Sequence, residues 1–205
     1  MKTEIINVYA SGDGREQALG LTEKTGSYCG LDQKAILRLR LLSEELIELI
    51  RPFADNIHGD FWLETEDNNI EIHLKTDIPM DLQTRKELLA VSTSGTNSAA
   101  KGLMGKIREM IASVTLPDDP ETKEMSDQAF SLISLGSQMG AHYDGAYSWS
   151  MNTYMNMVNN GSSDNADNQE ARDELEKSIV ANLADEIKVN IVGSDVEVTI
   201  FKAYA

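Results

Sequence analysis

Glu44 and Glu48, four residues apart in Leu41-Leu-Ser-Glu-Glu-Leu-Ile-Glu-Leu-Ile50, are the clearest pair of side chains in this sequence that could do chemistry. On a helix they share a face, where like charges one turn apart oppose helix formation by roughly a few tenths of a kcal/mol. They therefore need arginine partners, a bound cation or open solvent. Carboxylate oxygens suit a hard cation. Arginines are also at hand: Arg40 precedes Glu44 by one turn and Arg51 follows Glu48 by three residues, which predicts Arg40–Glu44 and Glu48–Arg51 pairs on a solvated helix face.

Other reactive groups are sparse. Cys29 is the only cysteine, which excludes an intrachain disulfide, and it is expected to be a small buried residue. His58, His73 and His142 show no metal-ligand spacing and are expected to be structural. Lys101-Gly-Leu-Met-Gly105 precedes KIREMIASV, and glycines at a helix start can turn backbone N–H groups toward phosphate; Gly102 and Gly105 equally suit close helix packing. GTNSAAKG lacks the spacing of a P-loop.

The elements that must hold these residues follow from periodicity. TEIINVY (3–9) predicts a strand ended by Ser11-Gly-Asp-Gly14, and residues 15–28 a helix. With Asp32 as N-cap, Ala35, Leu39, Leu42, Leu46, Leu49 and Ile50 form one apolar stripe up to Pro52. Phe61 and Leu63, a turn at Glu66–Asn69, and the alternation of Ile70, Ile72 and Leu74 predict a hairpin with one buried face. Residues 82–91 and 102–114 read as helices around a polar run, Ser92–Ser98. Breaks at Pro117–Pro120 and at NNGSSDNADNQ (159–169) bracket a segment rich in Tyr and Met. In it Tyr147, Met151, Tyr154, Met155 and Val158 share a helical face, expected to be core, with an adaptable partner or ligand surface as the other reading. Residues 170–186 predict a helix burying Leu175, Ile179, Leu183 and Ile187, followed by a hairpin turning at Gly193-Ser194. Antiparallel hairpins with helices between them predict an α+β fold, a two-layer sandwich with helices on one sheet face. One domain, 1–205, is expected, with residues 117–169 a helical insertion within it.

Composition bounds the function. The chain has 205 residues and a formal net charge of −16, which opposes binding to nucleic-acid phosphates or anionic membrane surfaces. No long apolar run and no secretory leader are evident, so a soluble cytoplasmic protein is expected.

This layout resembles the GHKL ATPase superfamily: strand, helix, an LxxSExxxE helix, a hairpin ending in Asp77, a glycine-containing loop, a helix and a closing hairpin. The likeness is greatest to the small anti-sigma-factor serine kinases, and it covers residues 1 to about 116 and 170–205. It implies a histidine-kinase-like ATPase fold, ATP and magnesium as cofactors, and a protein partner, a regulator or sigma-factor-like protein. It places Glu44 as the catalytic group that polarises the attacking group, Glu48 as the metal ligand where the family has asparagine, and Asp77 as the adenine reader. Lys101, Gly102 and Gly105 would shape the phosphate loop, although the helix from residue 170 competes for that place. Pro79 and Asp81 stand where the family's motif has glycines. The implied function is therefore a regulatory nucleotide-binding domain with eroded motifs; the alternative is a noncatalytic interaction module that keeps the fold.

Overall fold

In the computed structural model, which describes residues 1–51, 57–78, 103–114, 146–160 and 166–204, the chain opens with β1 (Ile6–Tyr9) and α1 (Arg15–Tyr28). Between them Gly14 takes a left-handed backbone, φ 77°. A Cβ there would lie 2.0 Å from the Asn7 carbonyl oxygen, so only glycine lets the helix start this close to the strand. α2 (Gln33–Ile47) is capped by Asp32, whose carboxylate accepts a hydrogen bond from the Ala35 N–H at 2.7 Å. The helix stops short of Pro52: the Leu49, Ile50 and Arg51 N–H groups bond three residues back, tightening the last turn and burying Leu49 and Ile50.

β2 (His58–Glu66) and β3 (Asn69–Asp77) then pair antiparallel with Glu66 opposite Asn69, and Asp67 in the two-residue turn has a positive φ of 51°. β1 lies on the other side of β2, with Val8 opposite Gly59. Further on come α3 (Leu103–Val114), β4 (Ala146–Ser150), α4 (Met151–Asn160), α5 (Ala166–Lys177) and α6 (Ile179–Leu183). The chain closes with β5 (Glu186–Val192) and β6 (Asp195–Ala203). The six strands form one open antiparallel sheet in the order β1-β2-β3-β6-β5-β4, so the fold is a two-layer α+β sandwich. The terminal hairpin joins the same sheet as the N-terminal strands, as its alternating apolar residues required.

The chain divides into two compact units. One comprises Met1–Asp77, Leu183–Ile187 and Glu197–Ala205. Its core lies where α1 and α2 cover the sheet, and Leu19, Leu39, Leu42, Leu46, Phe61, Leu63, Ile72 and Leu74 are all buried there. Packing these apolar groups out of water supplies the main stabilisation. The other unit comprises Ile78–Asn182 and Lys188–Val196, with Leu103, Ile107, Ile111, Trp149, Met151, Tyr154 and Val158 among its buried residues.

Several sequence expectations change. Residues 146–150 are a strand, not part of a helical insertion, and Tyr147 stands on it 41% exposed while Met151, Tyr154 and Val158 are buried as expected. Met155 is half-buried. The predicted helix at 170–186 begins earlier, at Ala166, and breaks at Ser178, whose hydroxyl accepts a hydrogen bond from the Ala181 N–H and restarts the helix. The restart turns Ile179 out, 57% exposed, and Val180 in, while Ile187 is buried on β5. Cys29 is exposed, because it lies at the C-cap of α1 beyond the last buried turn. The expected helix at 82–91, the run Ser92–Ser98, Pro79, Asp81 and the whole segment 117–145, with His142, lie outside the described residues.

Gly14→Ala is expected to cost at least about 2 kcal/mol, since it adds left-handed strain to a backbone clash. Gly20→Ala, in α1 with open space around its Cβ position, should gain roughly 0.5–1 kcal/mol. Urea midpoints of the two variants check both signs.

Candidate functional site

The Glu44–Glu48 pair is answered by an arginine that helix spacing did not point to. Arg15, the first residue of α1, donates from Nη2 to Glu44 Oε1 at 3.2 Å and sets Nε 3.6 Å from Glu48 Oε1. All three side chains are about one-third exposed or less. The predicted Glu48–Arg51 pair forms, at 3.1 Å. The expected Arg40–Glu44 pair is not a close contact: Arg40 turns to α1, reaching Glu23 at 2.6 Å and Glu16 at 3.9 Å, and its hydrogen bond to Glu23 first, with the charges of Glu23, Glu44 and Glu16 behind it, holds it the more firmly protonated. The reason is packing. Leu39, Leu42 and Leu46 press α2 against α1, so its polar flank meets charges from α1 rather than solvent alone. A buried hydroxyl pair, Thr22 with Ser43 at 3.0 Å, fixes the same helix contact.

The other expected site residues are more scattered. Asp77 ends β3 and is exposed. Gly105 is buried inside the first turn of α3, not in a loop before a helix. Lys101 and Gly102 lie outside the described residues.

Oxygen donors for magnesium are present in kind, but they do not fit the ion as they stand. Glu48 is shared between Arg15 and Arg51, and Glu44 is held by Arg15. A divalent cation would meet guanidinium groups first. Among the described residues, no three His, Cys, Asp or Glu side chains converge as a metal-binding set.

A second polar cluster lies on the sheet face away from α1 and α2. The hairpin was expected to bury one face, yet Trp62 and His73, opposite each other in register, are also buried and stack at 4.7 Å with only 4° between their planes. Thr199 Oγ1 lies 3.2 Å from His73 Nδ1, and Glu71 and Glu197 carboxylates flank the ring at 3.3 and 3.4 Å. The Trp62 indole N–H donates to Glu64 at 2.8 Å, and Lys2 sits over the indole, 4.4 Å from its centroid and 3.0 Å from Glu64. The period-two pattern hid this layer because Trp62 and His73 stand at the polar positions of their strands. His58, by contrast, is exposed beside Tyr9.

No helix among the described residues is long and apolar enough to cross a membrane. No family model matches the chain, and no curated protein matches it.

The indole hydrogen bond, with Lys2 second, holds the Glu64 carboxyl below its ordinary range. A depressed folded-state value means that this stabilisation is present above the unfolded carboxyl range and is lost as pH falls through the folded one. Acid unfolding should therefore show a smaller pH slope in Glu64→Gln than in the unmodified protein, as read from thermal midpoints between about pH 5 and pH 2.

Proposed function

We propose that the protein is a regulatory domain resembling the anti-sigma-factor serine kinases, one that takes an adenine nucleotide at Asp77 and does not turn it over. The observation that carries this reading is the commitment of Glu44 to Arg15 at 3.2 Å. A carboxylate acting as general base must reach the proton it removes, and this one faces a guanidinium instead. The element order supports the same reading: a strand, two helices and a hairpin ending in an exposed aspartate, then a helix and, after the edge strand β4 and three further helices, a closing hairpin on the same sheet. Arg15 and Arg51 also offset the charge of the two glutamates, which bare would repel a triphosphate. A domain that senses nucleotide without consuming it acts through a protein partner, of the regulator or sigma-factor-like kind, in the cytoplasm.

The same clamp favours a second reading. Because both glutamates are already neutralised within the chain, the face is complete without a ligand, as in a noncatalytic interaction module. Fold alone does not choose between the two.

Titration calorimetry with ATP and with ADP tests the choice. Weak binding of either nucleotide, reduced about tenfold or more in Asp77→Asn, with no phosphate release above blank, is the expected result. No heat from either nucleotide selects the interaction module. Steady hydrolysis abolished in Glu44→Ala makes the protein an enzyme and overturns the proposal.

A further inference from the structure

We propose that Arg15 takes the place of a divalent cation at the Glu44–Glu48 pair, so that this face is neutralised from within the chain and closed to magnesium. One guanidinium reaches both carboxylates, at 3.2 Å to Glu44 and 3.6 Å to Glu48, as a metal bridging two carboxylates would. A guanidinium carries a fixed positive charge, as a divalent cation does. Its origin is fixed as well. Gly14 holds the start of α1 against the Asn7 backbone, and Arg15 is the next residue, so the guanidinium is delivered to α2 by a backbone contact that no other residue type permits.

A metal ion must clear three obstacles. Magnesium demands short, near-octahedral oxygen contacts and gives up its water reluctantly. Here it must first displace Arg15 from both glutamates and then contend with Arg51, 3.1 Å from Glu48. The Nε of Arg15 is buried 3.6 Å from Glu48 without a hydrogen bond of its own, so water does not reach it from that side. The consequence for ligands rests on the nucleotide reading above: nucleotide at this face binds without magnesium. The exclusion of metal stands apart from that reading.

Manganese, an oxygen-seeking stand-in for magnesium, is the probe, with free ion followed by electron paramagnetic resonance. The unmodified protein and Glu44→Gln/Glu48→Gln should bind it equally, because the pair contributes nothing. Arg15→Gln should gain a class of binding at least about tenfold tighter, absent from Arg15→Gln/Glu48→Gln and suppressed again by Arg15→Lys. Manganese binding by the unmodified protein that disappears in Glu44→Gln/Glu48→Gln overturns the proposal, whether or not Arg15→Gln folds. So does an Arg15→Gln variant that folds and gains nothing. ATP titrated into the unmodified protein in magnesium or in EDTA should give the same affinity, and a strict magnesium requirement overturns the proposal. Absence of ATP binding in both, with the manganese gain present, defeats the nucleotide reading and upholds the clamp.

Discussion

The close approach of Gly14 to the Asn7 carbonyl sets the geometry of the N-terminal unit. A left-handed glycine lets α1 begin directly against β1, and the helix then runs beside α2 over β1–β3. From that placement follow the buried leucines of the interface, the Thr22–Ser43 hydroxyl bond and the crossing of charges from one helix to the other. Arg40 leaves the partner that spacing along its own helix would favour, and Arg15, with no carboxylate three or four residues along α1, reaches across to α2, because in each case the neighbouring helix brings carboxylates within reach. Individually such partly exposed pairs contribute little to stability. Their effect is on what the face can receive.

That effect links the fold to function. Two glutamates one turn apart would make a negative face that draws cations and repels polyanions. With Arg15 and Arg51 in place the face is close to neutral at short range while the chain as a whole carries a net charge of −16. Such a face neither draws cations nor repels polyanions as the bare pair would. The buried Trp62–His73 stack on the other side of the sheet has a different role. It gives the sheet a second, smaller packed layer, closed over by Lys2 and the flanking glutamates, so that neither face of β2 and β3 is left bare.

Much of the fold was legible in the sequence because local signals agreed with one another. The Asp32 cap, the turn at Glu66–Asn69 and the Gly193 hairpin each combine a turn former with a clear apolar period, and α1 was marked by the glycine turn before it. Where a polar residue did the structural work, the period misled. Ser178 splits a helix that the apolar spacing runs straight through, and Trp62 and His73 occupy positions an alternating strand assigns to solvent. β4 was missed because its five residues, AYSWS, sit among methionines and tyrosines that continue a helical stripe. At the candidate site the carboxylate pair was evident, but its counter-charge came from a residue 29 positions away from Glu44 in sequence. Spacing rules see only neighbours on one helix; Arg15 could be read only as the first residue after a glycine turn.

The most direct measurement of this account is the nitrogen-15 NMR signal of the Arg15 Nε–H group. If Arg15 is held between Glu44 and Glu48, its Nε–H exchanges slowly with water, gives a resonance separate from those of the exposed arginines, and moves when either glutamate is changed to glutamine. An Arg15 signal that exchanges as fast as that of Arg51, which is 72% exposed, and is indifferent to both substitutions would contradict it.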